Sequence, residues 1–487
     1  MNGNIHLQEE AGRCLLCVDA PCNKACGKEG PARAIRAIRF DNCDLANKWL
    51  EGCSEEDLVK AENGCIHYDY PIRIREIAKL LPHSTQVQNL PDLSIDFCGI
   101  HCENPFFLAS SAVCTNYEMV ARAFDAGWGG VFYKTICLQE IREVSPRFDA
   151  IGENAHGDFF GFRNMEQLSE NPVEVDFEIL SRLKKNYPNK VVIASIMGQI
   201  EEQWIELAKM AENAGVDAIE LNFSCPQMRL AGMGSDVGQN PELVSIYTSY
   251  VKKSVNIPVI PKMTPNITSM NHPALSAYLV GADGISAINT IKSVTMHSNS
   301  MVSGKKTISG YSGRAVKPIA LKFILEIAGD PVMQNIQLSG IGGIETWRDA
   351  LEFIQLGCRN VQVCTAVMQY GYRIIDDLIL GLQNYMAQNG ISHLDSIVGE
   401  EIPNFVTPTN LDRDTVVYPK MNKELCMGCG RCYTSCMDGG HQAINFDFEK
   451  REPHVIGSKC VGCHLCRLVC PTGAIGMSNR VAKRERR

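Results

Sequence analysis

The 487-residue sequence contains no apolar run close to the roughly 18 residues that a membrane-spanning helix needs. Its first ten residues also lack the basic and apolar regions of a secretory signal peptide. The net charge of −8 leaves no basic excess for binding nucleic acid. These absences predict a cytoplasmic protein that binds neither a membrane nor nucleic acid.

No G-x-G-x-x-G motif follows any candidate strand, so the sequence shows no Rossmann site for NAD(P) or FAD. In an intracellular protein, the 22 cysteines are not expected to form a disulfide framework. Seven of them precede residue 70, seven lie between Cys98 and Cys364, and eight lie near the C-terminus. Only the two outer groups have the density expected of metal ligands.

Two cysteine runs near the C-terminus share the spacing C-x2-C-x2-C-x3-C, and Pro471 follows the second. Bacterial ferredoxins hold two [4Fe–4S] clusters with such runs, and the fourth cysteine of each run binds the other cluster. The alternative is a pair of zinc knuckles, which the repeated ferredoxin spacing disfavours. We predict a two-cluster ferredoxin domain over residues 415–480, with the ligand sets Cys426, Cys429, Cys432 and Cys470, and Cys460, Cys463, Cys466 and Cys436.

The N-terminal cysteines begin with the spacing C-x2-C-x4-C-x3-C. Apolar residues recur at helical spacing over residues 31–40. A helical segment of about 80 residues has a small core, so bound clusters would supply much of its folding energy. We predict a helical iron–sulfur domain over residues 1–85, with a zinc-stapled cap as the alternative. Its cysteines are Cys14, Cys17, Cys22, Cys26, Cys43, Cys53 and Cys65.

Between residues 90 and 400, eight short apolar runs alternate with amphipathic helical patterns. Apolar runs of this kind are typical of strands buried on both faces. Eight such units favour an α/β fold with a (β/α)₈ TIM barrel rather than a doubly wound sheet. The predicted strands are 104–110, 129–135, 191–197, 218–224, 259–265, 283–289, 336–342 and 360–366.

Seven of these eight strands end in polar or glycine residues. In such barrels the chemistry lies at the C-terminal ends of the strands. Two lysines, several amides and hydroxyls, and the glycine-rich loop 340–344 suit a flat heteroaromatic cofactor with one phosphate.

An ordered series of short motifs connects these strand ends. It resembles the FMN barrel shared by dihydroorotate and dihydropyrimidine dehydrogenases, and the ferredoxin tail fits the second family. Residues 90–475 are similar to the catalytic subunit of bacterial NAD-dependent dihydropyrimidine dehydrogenases. The motifs are ASS at 109–111, FYKT at 132–135, ELNFSCP at 220–226, PKMTPN at 261–266, AINT at 287–290, SGIGGIETW at 339–347 and VCTAVMQYG at 363–371.

The N-terminal segment resembles the iron–sulfur domain of dihydropyrimidine dehydrogenases and of the small subunits of glutamate-synthase-like flavoproteins. This resemblance implies that Cys26 belongs to a second cluster, for which only Cys43 and Cys53 remain, at shifted spacings. The segment would therefore hold one or two [4Fe–4S] clusters. The ligands implied for the first cluster are Cys14, Cys17, Cys22 and Cys65.

The resemblance also implies which barrel residues contact FMN and which bind the substrate ring. The FMN contacts would be Ala109, Ser110, Lys134, Thr135, Lys262, Ser312, Gly313, Gly342, Gly343, Cys364 and Thr365. The substrate contacts would be Asn164, Asn222, Ser224, Asn289 and Thr290.

The implied reaction reduces the C5=C6 bond of uracil or thymine, with hydride from the flavin and a proton from a loop after strand 4. Related enzymes use a cysteine or a serine as this proton donor. The matching loop, residues 228–241, contains no cysteine, and Val237 lies where one is expected. The candidate catalytic acids are Ser235 and Asp236.

The expected electron source is a separate NAD(P)H-oxidising flavoprotein subunit or a ferredoxin, within a homo-oligomer or hetero-oligomer. Two alternatives stay open. One is the same scaffold acting on another unsaturated cyclic amide or heterocycle. The other is a non-catalytic electron-transfer subunit.

Overall fold

The computed structural model describes residues 2–67, 70–81, 90–151, 159, 161–226, 228, 232–295 and 307–483. Leu7–Pro403 form one compact unit, and Met1–His6 with Asn404–Arg487 form another. None of the described helices is long and apolar enough to cross a membrane.

The N-terminal segment is helical and packs its apolar side chains into a small core of its own. Ile35, Ile38 and Ile74 are almost fully buried there. The glycine after α2, Gly27, has a φ of 69°, which ends that helix. The helices are α1 Asn2–Gly12, α2 Pro21–Cys26, α3 Gly30–Arg39, α4 Cys43–Leu50, α5 Glu55–Asn63 and α6 Ile74–Leu80.

A hairpin precedes the barrel, formed by β1 Ile95–Phe97 and β2 Ile100–Cys102. Eight parallel strands then close into a barrel in chain order, and each overlaps one predicted strand. The predicted TIM barrel is confirmed. Most of the strand residues are buried, as expected for strands covered on both faces. The barrel strands are β3 Phe106–Leu108, β4 Gly130–Phe132, β7 Val191–Ile196, β8 Ala218–Asn222, β9 Val259–Lys262, β10 Gly284–Ala287, β13 Gln337–Ile341 and β14 Cys358–Val363.

Helices connect the barrel strands, and local sequence sets several of their ends. Asn116 caps α7 because its Oδ1 accepts a hydrogen bond from Met119 N at 2.9 Å, and Gly127 ends it with a φ of 113°. Thr346 and Asp349 form a capping box at the start of α14. The helices are α7 Tyr117–Ala126, α8 Val173–Asn186, α9 Glu201–Asn213, α10 Ser235–Gly238, α11 Pro241–Ser254, α12 Asn271–Leu279, α13 Lys317–Ala328, α14 Trp347–Gln355, α15 Thr365–Tyr370 and α16 Ile374–Gln388.

A second sheet, here called the outer sheet, is formed by strands inserted between barrel units. Its order is β11–β12–β6–β5, and all neighbours are antiparallel. Gly161 permits close packing in it, since a Cβ there would lie 2.0 Å from the Tyr311 ring. This sheet was not predicted from the sequence. Its strands are β5 Phe148–Ile151, β6 Gly161–Asn164, β11 Ile291–Ser293 and β12 Ser309–Ser312.

The N-terminal helices dock on the barrel helices α14 and α16. Trp347 Nε1 donates to Asp41 O at 3.0 Å, and Asn42 Nδ2 donates to Asp377 O at 2.9 Å. Arg36 Nε lies 2.8 Å from the Asp377 carboxylate. The predicted iron–sulfur segment is thus joined to the barrel through specific polar contacts.

The C-terminal unit pairs short strands around two short helices, as predicted for a ferredoxin-like domain. The pairs β15–β20, β16–β19 and β17–β18 are antiparallel. The elements are β15 Thr415–Val416, β16 Pro419–Met421, α17 Arg431–Gly439, β17 Ile444–Asp447, β18 Glu452–Val455, α18 Leu465–Leu468, β19 Ile475–Met477 and β20 Val481–Ala482.

Substitution of Gly381, on α16, tests how closely the N-terminal helices pack against the barrel. A Cβ at this position would lie 2.1 Å from Trp347 Cδ1 and 2.4 Å from Asn42 Oδ1. We expect Gly381→Ala to lower the free energy of unfolding by about 1–3 kcal/mol, because the indole must move. The measurements are thermal unfolding and tryptophan fluorescence. Gly12→Ala is the control, since nothing lies within 4 Å of a Cβ there. Equal effects of the two substitutions would contradict the prediction.

Candidate active site

A cleft opens where the C-terminal ends of the barrel strands meet the outer sheet. It is lined by all eleven residues predicted to contact FMN and by four of the five predicted to bind substrate, namely Asn164, Asn222, Asn289 and Thr290. The fifth, Ser224, is fully buried and lies between two of the asparagines. The fold therefore brings residues from distant parts of the chain to one place.

A chain of hydrogen bonds fixes the side-chain amides of the cleft. Asn289 Nδ2 donates to Ser224 Oγ at 2.9 Å, and Ser224 Oγ donates to Asn222 Oδ1 at 2.8 Å. Asn222 Nδ2 in turn donates to Thr135 Oγ1 at 2.9 Å. Because each amide is held by a defined partner, the cleft presents donors and acceptors in a fixed order. A ring edge with alternating C=O and N–H groups needs such an order.

A carboxylate that the sequence analysis missed lies beneath the cleft, at the centre of the barrel. Glu220 on β8 is fully buried and accepts hydrogen bonds from Ser110 Oγ and Ser195 Oγ, both at 2.8 Å. Ser286 Oγ donates to its second oxygen at 3.1 Å. The sequence could have indicated this residue, because an acidic residue inside an otherwise apolar strand needs hydrogen-bonding or ion-pair partners when it is buried.

Glu220 also faces the buried Lys262. The Lys262 Nζ atom lies 3.5 Å from the carboxylate and donates to Ser110 Oγ at 2.8 Å. Lysine and carboxylate are both almost inaccessible to solvent, which makes this an internal ion pair. The pair holds a positive charge at the floor of the cleft in a single orientation.

A second lysine, two residues after β4, enters the cleft and pairs with a carboxylate of its own. Lys134 Nζ donates to Glu166 Oε1 at 2.9 Å, and Arg147 Nη1 lies 3.4 Å from the other oxygen. Glu166 lines the cleft and was also missed. Its position two residues after the predicted substrate contact Asn164 could have indicated that it lines the cleft.

Glycines shape the cleft where a phosphate would bind. Gly342 and Gly343 have φ angles of 131° and 75°, which favour glycine. A Cβ on Gly343 would lie 2.9 Å from the backbone nitrogen of Lys317. Gly313, with a φ of 92°, lines the same part of the cleft. The cleft thus offers two lysines, side-chain amides that are held in place, and glycines that let a ligand approach the backbone closely. These features fit FMN.

The two predicted catalytic acids are not among the described residues that line the cleft. Ser235 is buried at the start of α10, where its backbone nitrogen donates to Cys225 O at 2.9 Å. Asp236 is exposed, and its carboxylate accepts from Gly232 N at 3.2 Å. Cys225 itself lines the cleft. The role of either acid stays a prediction.

Two cavities in the C-terminal unit are each bordered by four thiols. The first holds the predicted set of Cys426, Cys429, Cys432 and Cys470, and the second holds the set of Cys436, Cys460, Cys463 and Cys466. Each set thus includes the fourth cysteine of the other run. Thiols around a cavity are the donor set that an iron–sulfur cluster requires. Over the described ranges, no three His, Cys, Asp or Glu side chains are spaced to hold a single metal ion.

A third cavity lies in the N-terminal segment and is bordered by Cys14, Cys17, Cys22 and Cys65. This is the set predicted for the first N-terminal cluster. Burial, and then the neighbouring Cys14, raise the pKa of the Cys22 thiol to about 11. Cluster binding would therefore release a proton from this residue.

Of the three remaining N-terminal cysteines, Cys26 and Cys53 lie near each other. Burial raises the pKa of Cys53, and nearby Cys26 adds to the effect. Burial raises the pKa of Cys43 to about 11 as well, but its charged neighbours are Asp41, Asp44 and Arg348. Cys43 is thus in a different environment from the other two.

Comparison with known proteins gives the barrel and the C-terminal unit separate matches. Residues 92–386 match the family model described as dihydroorotate dehydrogenase. The chain belongs to the dihydroorotate dehydrogenase family. Residues 420–477 match a 4Fe–4S dicluster domain, which confirms the predicted ferredoxin domain. The chain is therefore an iron–sulfur oxidoreductase of a family that uses FMN.

Within this family the chain is similar to dihydropyrimidine dehydrogenases and to dihydroorotate dehydrogenases. It is 53% identical over 390 residues to the NAD-dependent dihydropyrimidine dehydrogenase subunit PreA of Escherichia coli, covering 79% of this chain and 95% of the relative. It is 39% identical over 345 residues to the chloroplastic dihydropyrimidine dehydrogenase (NADP(+)) of Arabidopsis thaliana, covering 67% and 81%. The catalytic subunit of dihydroorotate dehydrogenase B (NAD(+)) from Pyrococcus abyssi is 36% identical over 312 residues, covering 63% and 98%.

Because Glu220 and Lys262 form a buried ion pair, substitution of Glu220 should strongly destabilise the barrel. Glu220→Leu leaves three hydroxyls and a buried ammonium without their acceptor, so we expect a loss of about 3–5 kcal/mol. Glu220→Gln keeps one acceptor oxygen and should lose less. Unfolding in urea, followed by circular dichroism, measures both. A Glu220→Leu protein as stable as the parent would refute this role.

Proposed function

We propose that the protein reduces the C5=C6 bond of uracil or thymine, reversibly, at FMN bound in the barrel cleft. The supporting observation is the cleft itself, in which two lysines and a fixed amide network lie together. Dihydropyrimidine dehydrogenases are among the relatives, and a subunit of one of them is 53% identical to this chain over 390 residues. A wholly structural role would not require this arrangement of fixed donors and acceptors.

In this proposal FMN supplies hydride chemistry, and the residues of the chain hold and orient both partners. Lys262 and Lys134 stabilise negative charge on the flavin, because a buried ammonium acts in a low-dielectric site. The loops that contain Gly342, Gly343 and Thr365 take the phosphate. Asn222 and Asn289 orient the pyrimidine ring through their fixed amides.

The clusters connect this flavin with an external electron source. We propose two clusters in the C-terminal unit and one in the N-terminal segment, on the thiol sets that border the three cavities. A separate NAD(P)H-oxidising flavoprotein subunit or a ferredoxin would supply the electrons. The chain would work within a homo-oligomer or hetero-oligomer.

The proposed substrate can be tested without a partner protein. Anaerobic mixing of the FMN-loaded protein with dihydrouracil should bleach the flavin absorbance, because the reverse reaction gives hydride to FMN. Asn222→Ala should bleach more slowly, and substrate binding should weaken. If no dihydropyrimidine bleaches the flavin, the substrate is another heterocycle or the barrel is not catalytic.

The proton donor is proposed to be Ser235 or, alternatively, Asp236. Ser235→Ala should slow turnover by about 100-fold or more, as the loss of a general acid does. Val237→Ala is the matched control, since Val237 is also buried in α10. The readouts are turnover and deuterium incorporation at C5 in D₂O. If Ser235→Ala and Asp236→Asn both match the parent, the donor is elsewhere. Cys225, which lines the cleft, is then tested as Cys225→Ser.

A further inference from the structure

Two hydroxyls join the buried carboxylate beneath the cleft to the amides that line it. Ser195, on β7, is fully buried, and its Oγ donates to Glu220 Oε1 at 2.8 Å. The same Oγ lies 2.9 Å from Thr135 Oγ1, and Thr135 Oγ1 accepts from Asn222 Nδ2 at 2.9 Å. Glu220 and Asn222 are thus connected by hydrogen bonds without a break. Ser195 is not among the described residues that line the cleft.

The carboxylate sets the direction of every hydrogen bond in this chain. A carboxylate that is paired with an ammonium only accepts hydrogen bonds, and a hydroxyl has a single hydrogen to donate. Because Ser195 gives its hydrogen to Glu220, the bond between the two hydroxyls must use the hydrogen of Thr135. Thr135 can then only accept from Asn222. The side chain of Asn222 must therefore turn its NH₂ group, and not its oxygen, towards Thr135.

The contacts on the other side of the same amide require the same orientation. Asn222 Oδ1 accepts from the backbone nitrogen of Ser224 at 3.1 Å and from Ser224 Oγ at 2.8 Å. A backbone N–H is always a donor, so the amide oxygen must lie on that side. These two bonds use both lone pairs of the oxygen. Within the part of the chain that the structure describes, Asn222 is left with one N–H and no lone pair to offer a ligand.

We propose that Glu220 is a positioning residue for substrate selection, which acts through Ser195 and Thr135 to fix Asn222 as a hydrogen-bond donor to the bound ring. Asn222 lines the cleft, so the ring atom that faces it must be an acceptor. A ring carbonyl meets this requirement, whereas an amino group in its place would set two donors against each other. This inference rests on the proposed function, and it narrows the substrates to rings with a carbonyl oxygen at that position.

The ion pair with Lys262 does not by itself require this chain. Glu220 also accepts from Ser110 Oγ at 2.8 Å and from Ser286 Oγ at 3.1 Å, so the carboxylate has hydrogen-bond partners besides Ser195. The link through Ser195 can therefore be broken while the carboxylate stays paired. Its effect on ligand choice is separable from its effect on stability.

The experiment compares the binding of pyrimidines that differ in one carbonyl group. The probes are uracil, cytosine, in which an amino group replaces the C4 carbonyl, and isocytosine, in which an amino group replaces the C2 carbonyl. Dissociation constants are measured from the change in FMN absorbance when each ring binds to the oxidised holoprotein. We expect the parent to bind uracil about 100-fold or more tightly than at least one analogue, because that analogue leaves the polar groups of the cleft unpaired.

Substitution of Ser195 breaks the chain without changing a residue of the cleft. Ser195→Ala frees the hydrogen of Thr135 to turn towards Asn222, so the preference for uracil over the rejected analogue should fall about 5-fold. Ser195→Thr keeps the hydroxyl and should keep the preference. Ser339→Ala is the matched control, since Ser339 is a fully buried serine on β13 whose Oγ accepts from Gln362 Nε2 at 2.8 Å. A loss of stability that weakens both ligands alike leaves their ratio unchanged.

Substitution of Glu220 tests the carboxylate itself. Glu220→Gln supplies an amide that can donate to Ser195 and so reverse the chain, and it should narrow the preference as Ser195→Ala does. Because both substitutions act on one chain, the double variant should narrow it no further.

The proposal is overturned if the parent prefers uracil to neither analogue, or if Ser195→Ala or Glu220→Gln keeps the preference of the parent. Binding needs no turnover, so the proposed reaction is decided separately by the bleaching of FMN with dihydrouracil. A parent that bleaches, with an unchanged binding ratio in Ser195→Ala, refutes this inference alone. A parent that does not bleach, with the expected change in the ratio, refutes the proposed reaction and supports the role of Glu220.

Discussion

The pairing of β14 with β3 closes the barrel, and the other features of the molecule depend on it. Val363 lies opposite Leu108, and Ala109 N donates to Val363 O at 3.1 Å. This brings the start of α15 beside the first strand end, although the two are far apart in sequence. Lys262 reaches Ser110 across the same closed interior. Without closure, these strand ends would not meet to form the cleft.

The sequence predicted the parts of the fold that repeat. Each barrel strand lies within a short, mostly apolar run, so eight of them were recognisable. The cysteine runs were equally informative, because ligand spacing is a property of the chain itself. The outer sheet was missed for the opposite reason. Its strands have three or four residues each and pair across distant insertions, so neither periodicity nor spacing indicates them.

Glu220 and Glu166 show the limit of motif-based prediction of a site. Glu220 lies within a recognised motif, and Glu166 lies two residues after the predicted substrate contact Asn164. What matters for each is its partner across the fold, Lys262 or Lys134. Pairings of this kind depend on three-dimensional proximity, which a single sequence does not carry. The proton donor is a related case, since the loop that should carry it has Val237 where a cysteine is expected.

The crossed thiol sets of the C-terminal unit make its two halves interdependent. Cys470 completes the cavity of the first run, and Cys436 completes that of the second. If each thiol set binds a cluster as proposed, neither cluster site is complete until both cysteine runs have folded together. A truncation that removes only the last cysteine run would leave the first cavity with three of its four thiols, and the second cavity with Cys436 alone.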